Sequence, residues 1–192
     1  MRVRSRTLAA IALLLAAVTL SACSSTDDNA AGGSTPAHNQ ADVTFATEMI
    51  PHHAQAVTMA DMVTGQDVSA DFAQLAADIK AAQAPEIQTM AGWLQSWGEP
   101  VPATTHGMGM TGMDHGMPGM MSDSQLQDLD DAAGSAFERM WLQMMIAHHQ
   151  GAIEMAKTEQ ADGLYPPAIA LAAHIEQTQT AEIALMQSML NA

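Results

Sequence analysis

The chain has 192 residues, 21 Asp and Glu against 6 Lys and Arg, a formal net charge of −15 at pH 7, 17 Met, 8 His and a single Cys. A charge of that sign repels nucleic acid and anionic lipid head groups and favours cations. One Cys excludes an internal disulfide and a multi-thiolate metal site, so the folded part must be held by its core.

Arg2, Arg4 and Arg6 precede an almost unbroken apolar run from Leu8 to Leu20. That is the layout of a signal peptide over residues 1–22, and the run falls short of the ~20 apolar residues a membrane span needs. Leu20-Ser21-Ala22-Cys23 resembles a bacterial lipobox, in which the cysteine is lipidated and becomes the first mature residue. The expected location is the extracytoplasmic face of the cell membrane, with contact through the lipid anchor only. After cleavage three basic residues face twenty-one acidic ones, a balance of −18. Residues 23–41 contain no apolar periodicity and read as a flexible tether. Residues 42–192 are left for one domain.

That domain reads as all-α, because its segments are rich in Ala, Leu, Met, Gln and Glu with apolar residues three and four apart. The first helix is expected over 42–64, closed by Gly65, with Pro51 kinking it. The second runs over 69–97 with Ser69 as its cap. A crossover over 98–134 follows. It contains the tract His106, Met108, Met110, Met113, His115, Met117, Met120 and Met121, in which six Met and two His are spaced by five Gly and one Pro. Glycine at that density cannot pack a helix or strand, and a plain linker needs no methionine. Thioethers are soft neutral donors suited to Cu(I) and, by the same softness, Ag(I); zinc prefers His, Cys and carboxylate. Ser124 to Gln127 reads as a capping box for a short extra helix before Gly134. The third main helix is expected over 135–160, closed by Gly163, and the fourth over 166–190, with Pro166 and Pro167 in its first turn.

The two helix pairs are copies of each other at an offset of 96 residues. Met49-Ile50-Pro51-His52-His53 returns as Met145-Ile146-Ala147-His148-His149, Met59 as Met155, and Gln83, Glu86, Ile87 and Met90 as Gln179, Glu182, Ile183 and Met186. Two copied hairpins joined by one long crossover make a ferritin-like four-helix bundle. On a helical wheel Met49, His52, His53 and Met59 share a face about 120° wide, as do Met145, His148, His149 and Met155. Such a stripe packs a core or holds a metal, and its duplication at mid-helix favours the metal. If the first and third helices are antiparallel neighbours, the His pairs meet at one level and can share an ion. Glu86 and Glu182 stand in line with apolar residues, where a carboxylate needs a partner, and are the candidates to orient the rings.

The double M-I-x-H-H pattern, with Phe45 to Ala60, Phe137 to Ala156 and the Q-x-x-E-I-x-x-M runs at 83–90 and 179–186, resembles the bacterial domain-of-unknown-function 305 (DUF305) family. The resemblance spans about residues 42–190 and implies an exported four-helix bundle with copper binding or tolerance. Ferritin-like di-iron proteins carry Glu-x-x-His on each hairpin; here His148 and His149 precede Glu154 instead. The leading expectation is therefore an extracytoplasmic protein that sequesters or transfers Cu(I) or Ag(I), with zinc and iron fitting less well. A ferritin-like metal-dependent redox enzyme and a module binding another envelope protein are the alternatives.

Overall fold

The computed structural model describes residues 37–104 and 117–192. The described residues form helices α1 (Gln40–Asp61), α2 (Ala70–Trp97), α3 (Asp123–Asp130), α4 (Gly134–Asp162) and α5 (Pro166–Leu190), and no strand. Helices α1, α2, α4 and α5 make the bundle, and α3 is the short helix of the crossover, packed on α4. The expected signal peptide, Cys23 and most of the expected tether lie outside the described residues.

The domain begins before residue 42. Asn39 caps α1 by accepting from the Ala41 and Asp42 amides, the Asp42 carboxylate in turn accepts from the Asn39 amide at 2.6 Å, and His38 stacks on Trp97 with ring centroids 4.4 Å apart. Helix α1 ends at Asp61, short of the expected 64, with Gly65 in the following turn at φ +87°. Pro51 lies inside α1, which continues through it. Pro85 likewise lies inside α2. Ser69 occupies the N-cap of α2 without a side-chain cap bond; its amide instead donates to Glu138 at 2.5 Å. The capping box of α3 is two residues upstream of the expected one, formed by Ser122 and Gln125.

Helix α1 runs antiparallel to α4, as bonds at both ends show. At one end the buried Asp42 carboxylate accepts from the Leu164 and Tyr165 amides at 3.1 and 2.9 Å, tying the start of α1 to the α4–α5 loop. At the other, the Trp141 indole donates to the Met59 carbonyl at 2.8 Å, filling an acceptor that the last turn of α1 leaves open.

The core divides into two apolar lobes. One, around Phe72, Phe137 and Trp141, also holds Met59, Met145 and Met186. The other, around Phe45, Ile87 and Leu94, holds Met49, Met90 and Met155. No histidine belongs to either lobe, although all four of the paired histidines are fully buried.

Candidate metal centre

Antiparallel packing brings the middles of α1 and α4 level, and the two His pairs meet there as their positions predict. The His52 and His148 rings are in contact, with centroids 3.8 Å apart and planes at 36°. His149 lies 6.3 Å from His148, centroid to centroid. All four side chains are 0% exposed.

Each hairpin supplies one His–Glu bond. His53 Nε2 donates to Glu86 at 2.7 Å, and His149 Nε2 donates to Glu182 at 2.7 Å, with the same separation of 33 residues in both copies. Glu86 and Glu182, the expected partners of the rings, are thus bonded to His53 and His149. The other pair is asymmetric. His52 Nε2 donates to the Pro118 carbonyl at 3.1 Å, while neither nitrogen of His148 has a partner.

These bonds decide the tautomers. A ring that donates through Nε2 keeps its lone pair on Nδ1 when neutral. The Nδ1 atoms of His52, His53 and His149 are all buried and unpartnered. Burial pushes His52 down to about 3, helped by the neighbouring imidazoles. Burial and the same neighbours push His148 well down, and burial lowers His149 against the opposing pull of Glu182. These three rings are neutral near pH 7, the form that binds a metal.

The shared site expected from Met49, His52, His53, Met145, His148 and His149 is brought together only in part. Among the described residues no three His, Asp or Glu side chains are grouped to hold a metal. His52 and His148 touch through their faces, so an ion bound by both calls for one ring to rotate. The thioethers stand on either side of the imidazoles, Met49 in one lobe and Met145 in the other, each one helical turn from its His pair. Met59 and Met155, two turns away, pack in opposite lobes and do not converge. Met90 and Met186 are fully buried on the face that carries Glu86 and Glu182 and lie outside the expected ligand set. Their signal was the repeated Q-x-x-E-I-x-x-M run, in which the methionine passes for ordinary core.

His106, Met108, Met110, Met113 and His115 lie outside the described residues. The end of their tract is docked on the bundle, contrary to the expectation of an unpacked segment. Met121 is buried at 6% exposure in the lobe of Trp141, whereas Met117 and Met120 are half-buried. Gln55 holds it there, accepting from the Met121 amide at 2.7 Å and donating to the Met121 carbonyl at 2.9 Å. Neither the Gln55 nor the Pro118 contact is legible in the sequence, because contacts 66 residues apart leave no local pattern.

A second polar group lies near the start of α1. Glu159 is 1% exposed, beside Asp42 and a cavity of about 250 Å³ also lined by Thr44, Glu48 and Met155. Burial and the adjacent Asp42 raise it to about 8. Burial alone would raise Asp42 too, but the Asn39, Tyr165 and Leu164 amides and Glu159 outweigh it and lower Asp42 overall.

Residues 42–190 match the family described as Domain of unknown function (DUF305). The fold is similar to that of a DUF305 protein from Streptomyces coelicolor described as secreted, at 35% identity and TM-score 0.69, covering 79% of this chain and 92% of that one. A DUF305 fragment from Deinococcus radiodurans is similar at 30% identity and TM-score 0.71, covering 81% and 99%. The Cu(II)-bound form of CopM is similar at 34% identity and TM-score 0.66, covering 78% and 95%. CopM has also been solved with Cu(I) and with Ag. No curated protein matches the sequence.

Proposed function

The chain belongs to the DUF305 family, and from that membership together with its buried histidine layer we propose that it binds a soft metal ion, Cu(I) or Ag(I), outside the cytoplasmic membrane and sequesters it or hands it on in copper tolerance. The observation that carries the reading is the layer itself: four imidazoles with five unpartnered ring nitrogens among them, fully buried between methionine-bearing lobes. Buried polar atoms are normally paired, so a layer with this many ring nitrogens unpartnered calls for a ligand. A hard ion would require carboxylates, and the two nearest, Glu86 and Glu182, are bonded to rings. Imidazole with thioether suits Cu(I). CopM, a structural relative solved in Cu(II)-bound, Cu(I)-bound and Ag-bound forms, supports copper or silver as the ion.

In this reading Cys23 carries the lipid that holds the domain at the membrane, and the tract from His106 to Met121 is a looser collecting site. Ordering a glycine-rich segment around an ion costs about 1–2 kcal/mol per residue fixed, which limits its affinity. Anaerobic titration with Cu(I), beside Cu(II), Zn(II) and Fe(II), tests the assignment. Cu(I) is expected to bind tightest and to perturb the His ring nitrogens. Tighter Zn(II) binding, or oxygen consumption on Fe(II) addition, would favour the redox enzyme instead. Replacing Met108, Met110, Met113, Met117 and Met120 by Leu should lower the Cu(I) count with the helical melting curve little changed; an unchanged count would reduce the tract to a linker. Met121 is spared because it packs in the core.

A further inference from the structure

The segment Met117–Met121 crosses the histidine layer from outside, and the residues that receive it are where the duplication breaks. At the offset of 96, Gln55 of α1 is matched by Gly151 of α4. Both positions serve the same segment in opposite ways. Gln55 reaches out and takes both the amide and the carbonyl of Met121. Gly151 leaves room, since a Cβ there would overlap the Pro118 carbonyl carbon and oxygen. Gly119 completes the fit at φ +77°, where its own Cβ would overlap the Ala147 carbonyl. Any side chain at 151, or an L residue in the 119 conformation, would push the segment off α4. So placed, the Pro118 carbonyl accepts from His52 Nε2.

The histidine rings are wholly buried, so an ion reaches them only if some part of the bundle moves. Parting the helices would expose whole apolar faces, whereas this segment is irregular and partly exposed, with Gln55 and His52 bonding it directly. We propose that Gln55 and Gly151 are positioning residues that latch the Met117–Met121 segment over the histidine layer as its door, and that the latched Pro118 carbonyl sets the His52 tautomer. When the door lifts, His52 loses its acceptor, and the half-buried Met117 and Met120 are the donors nearest the opening in sequence. This inference rests on the metal reading of the layer.

The test uses the full chain carrying Met108→Leu, Met110→Leu and Met113→Leu, so that the ion in the bundle dominates. Cu(I) is loaded anaerobically, and its transfer to a chromophoric Cu(I) chelator is followed alongside ¹⁵N signals of the His rings and exchange of the Met121 amide. Gln55→Leu removes both latch bonds while keeping the side chain's bulk. It should speed transfer and Met121 exchange about tenfold, the effect of losing roughly 1.4 kcal/mol of hydrogen bonding, with the Cu(I) count unchanged. Gly151→Ala should displace Pro118 and turn the metal-free His52 signal from the single Nε2–H tautomer into a mixture. Ring signals that respond to Cu(I), with transfer within about twofold of the parent in Gln55→Leu, would overturn the door alone. An unmixed His52 tautomer in Gly151→Ala would overturn the positioning role of that residue. Ring signals unmoved by Cu(I) in the parent would overturn the metal reading and the door with it.

Discussion

For His148 a structural role and the proposed binding role lead to opposite expectations. It is fully buried and neither ring nitrogen has a partner, a condition that costs about 1–3 kcal/mol for an unsatisfied buried polar group. A residue kept only for packing would be replaced with profit to stability by an apolar side chain of similar size. His148→Leu is therefore expected to raise the metal-free denaturation midpoint while weakening Cu(I) binding, the trade-off of a functional site. A lower midpoint in urea would mean that His148 is bonded in solution and has a structural role. Glu159 makes a second residue-scale prediction. Its carboxyl rises from 4.5 in the unfolded chain to about 8 in the folded one, so the folded state binds the proton more tightly. Its contribution is fully favourable below pH 4.5 and is lost as pH rises through 8. Glu159→Gln should flatten that loss, gaining stability over the parent between pH 5 and 9. Parallel curves for the two proteins, measured by denaturant unfolding, would contradict the assignment.

Among elements, the first hairpin tolerates prolines that the second lacks. Pro51 and Pro85 stand inside α1 and α2 where Ala147 and Ala181 stand in the copy. A proline in a helix interior costs about 3 kcal/mol against Ala, partly offset because it also stiffens the unfolded chain by roughly 0.4–1 kcal/mol. Pro85 is exposed, so Pro85→Ala disturbs no packing and should stabilise by about 2–2.6 kcal/mol, read as a rise in melting temperature. Pro51 is buried beside the histidines, and its replacement leaves a gap that cancels part of the gain. No net gain from Pro85→Ala would indicate that the surrounding helix has already adapted to the ring.

For the whole molecule, a polar stratum between two apolar lobes makes stability depend on pH. In the unfolded chain the imidazoles titrate near 6.5, while His52 stays neutral down to about 3 when folded, and His148 and His149 shift the same way. Below pH 6.5 the unfolded chain binds more protons, so stability falls with pH down to the folded values, by about 1.4 kcal/mol per pH unit for each ring involved. The expected result is a denaturation midpoint at pH 5 well below that at pH 7, with the gap narrowed in His148→Leu. A gap of the same size in that variant would shift the acid sensitivity to other groups.

Much of this architecture is written locally. Helical period, capping residues and the 96-residue repeat delimit the four main helices within about three residues, and α5 falls on Pro166–Leu190 as expected. Duplication also foretold that the His pairs meet and that Glu86 and Glu182 bond to rings, because equal spacing in two antiparallel copies puts equal residues at equal height. Other features depend on groups far apart in the chain. That Asn39 and His38 belong to the domain depends on Asp162 and Trp97, that Ser122 rather than Ser124 caps α3 depends on how the crossover is seated, and that Met121 is core while Gln55 and Gly151 receive the crossover depends on contacts across the bundle. A repeat specifies what its copies do alike; the segment that passes only once between them breaks that symmetry, and tertiary packing alone determines where it lies.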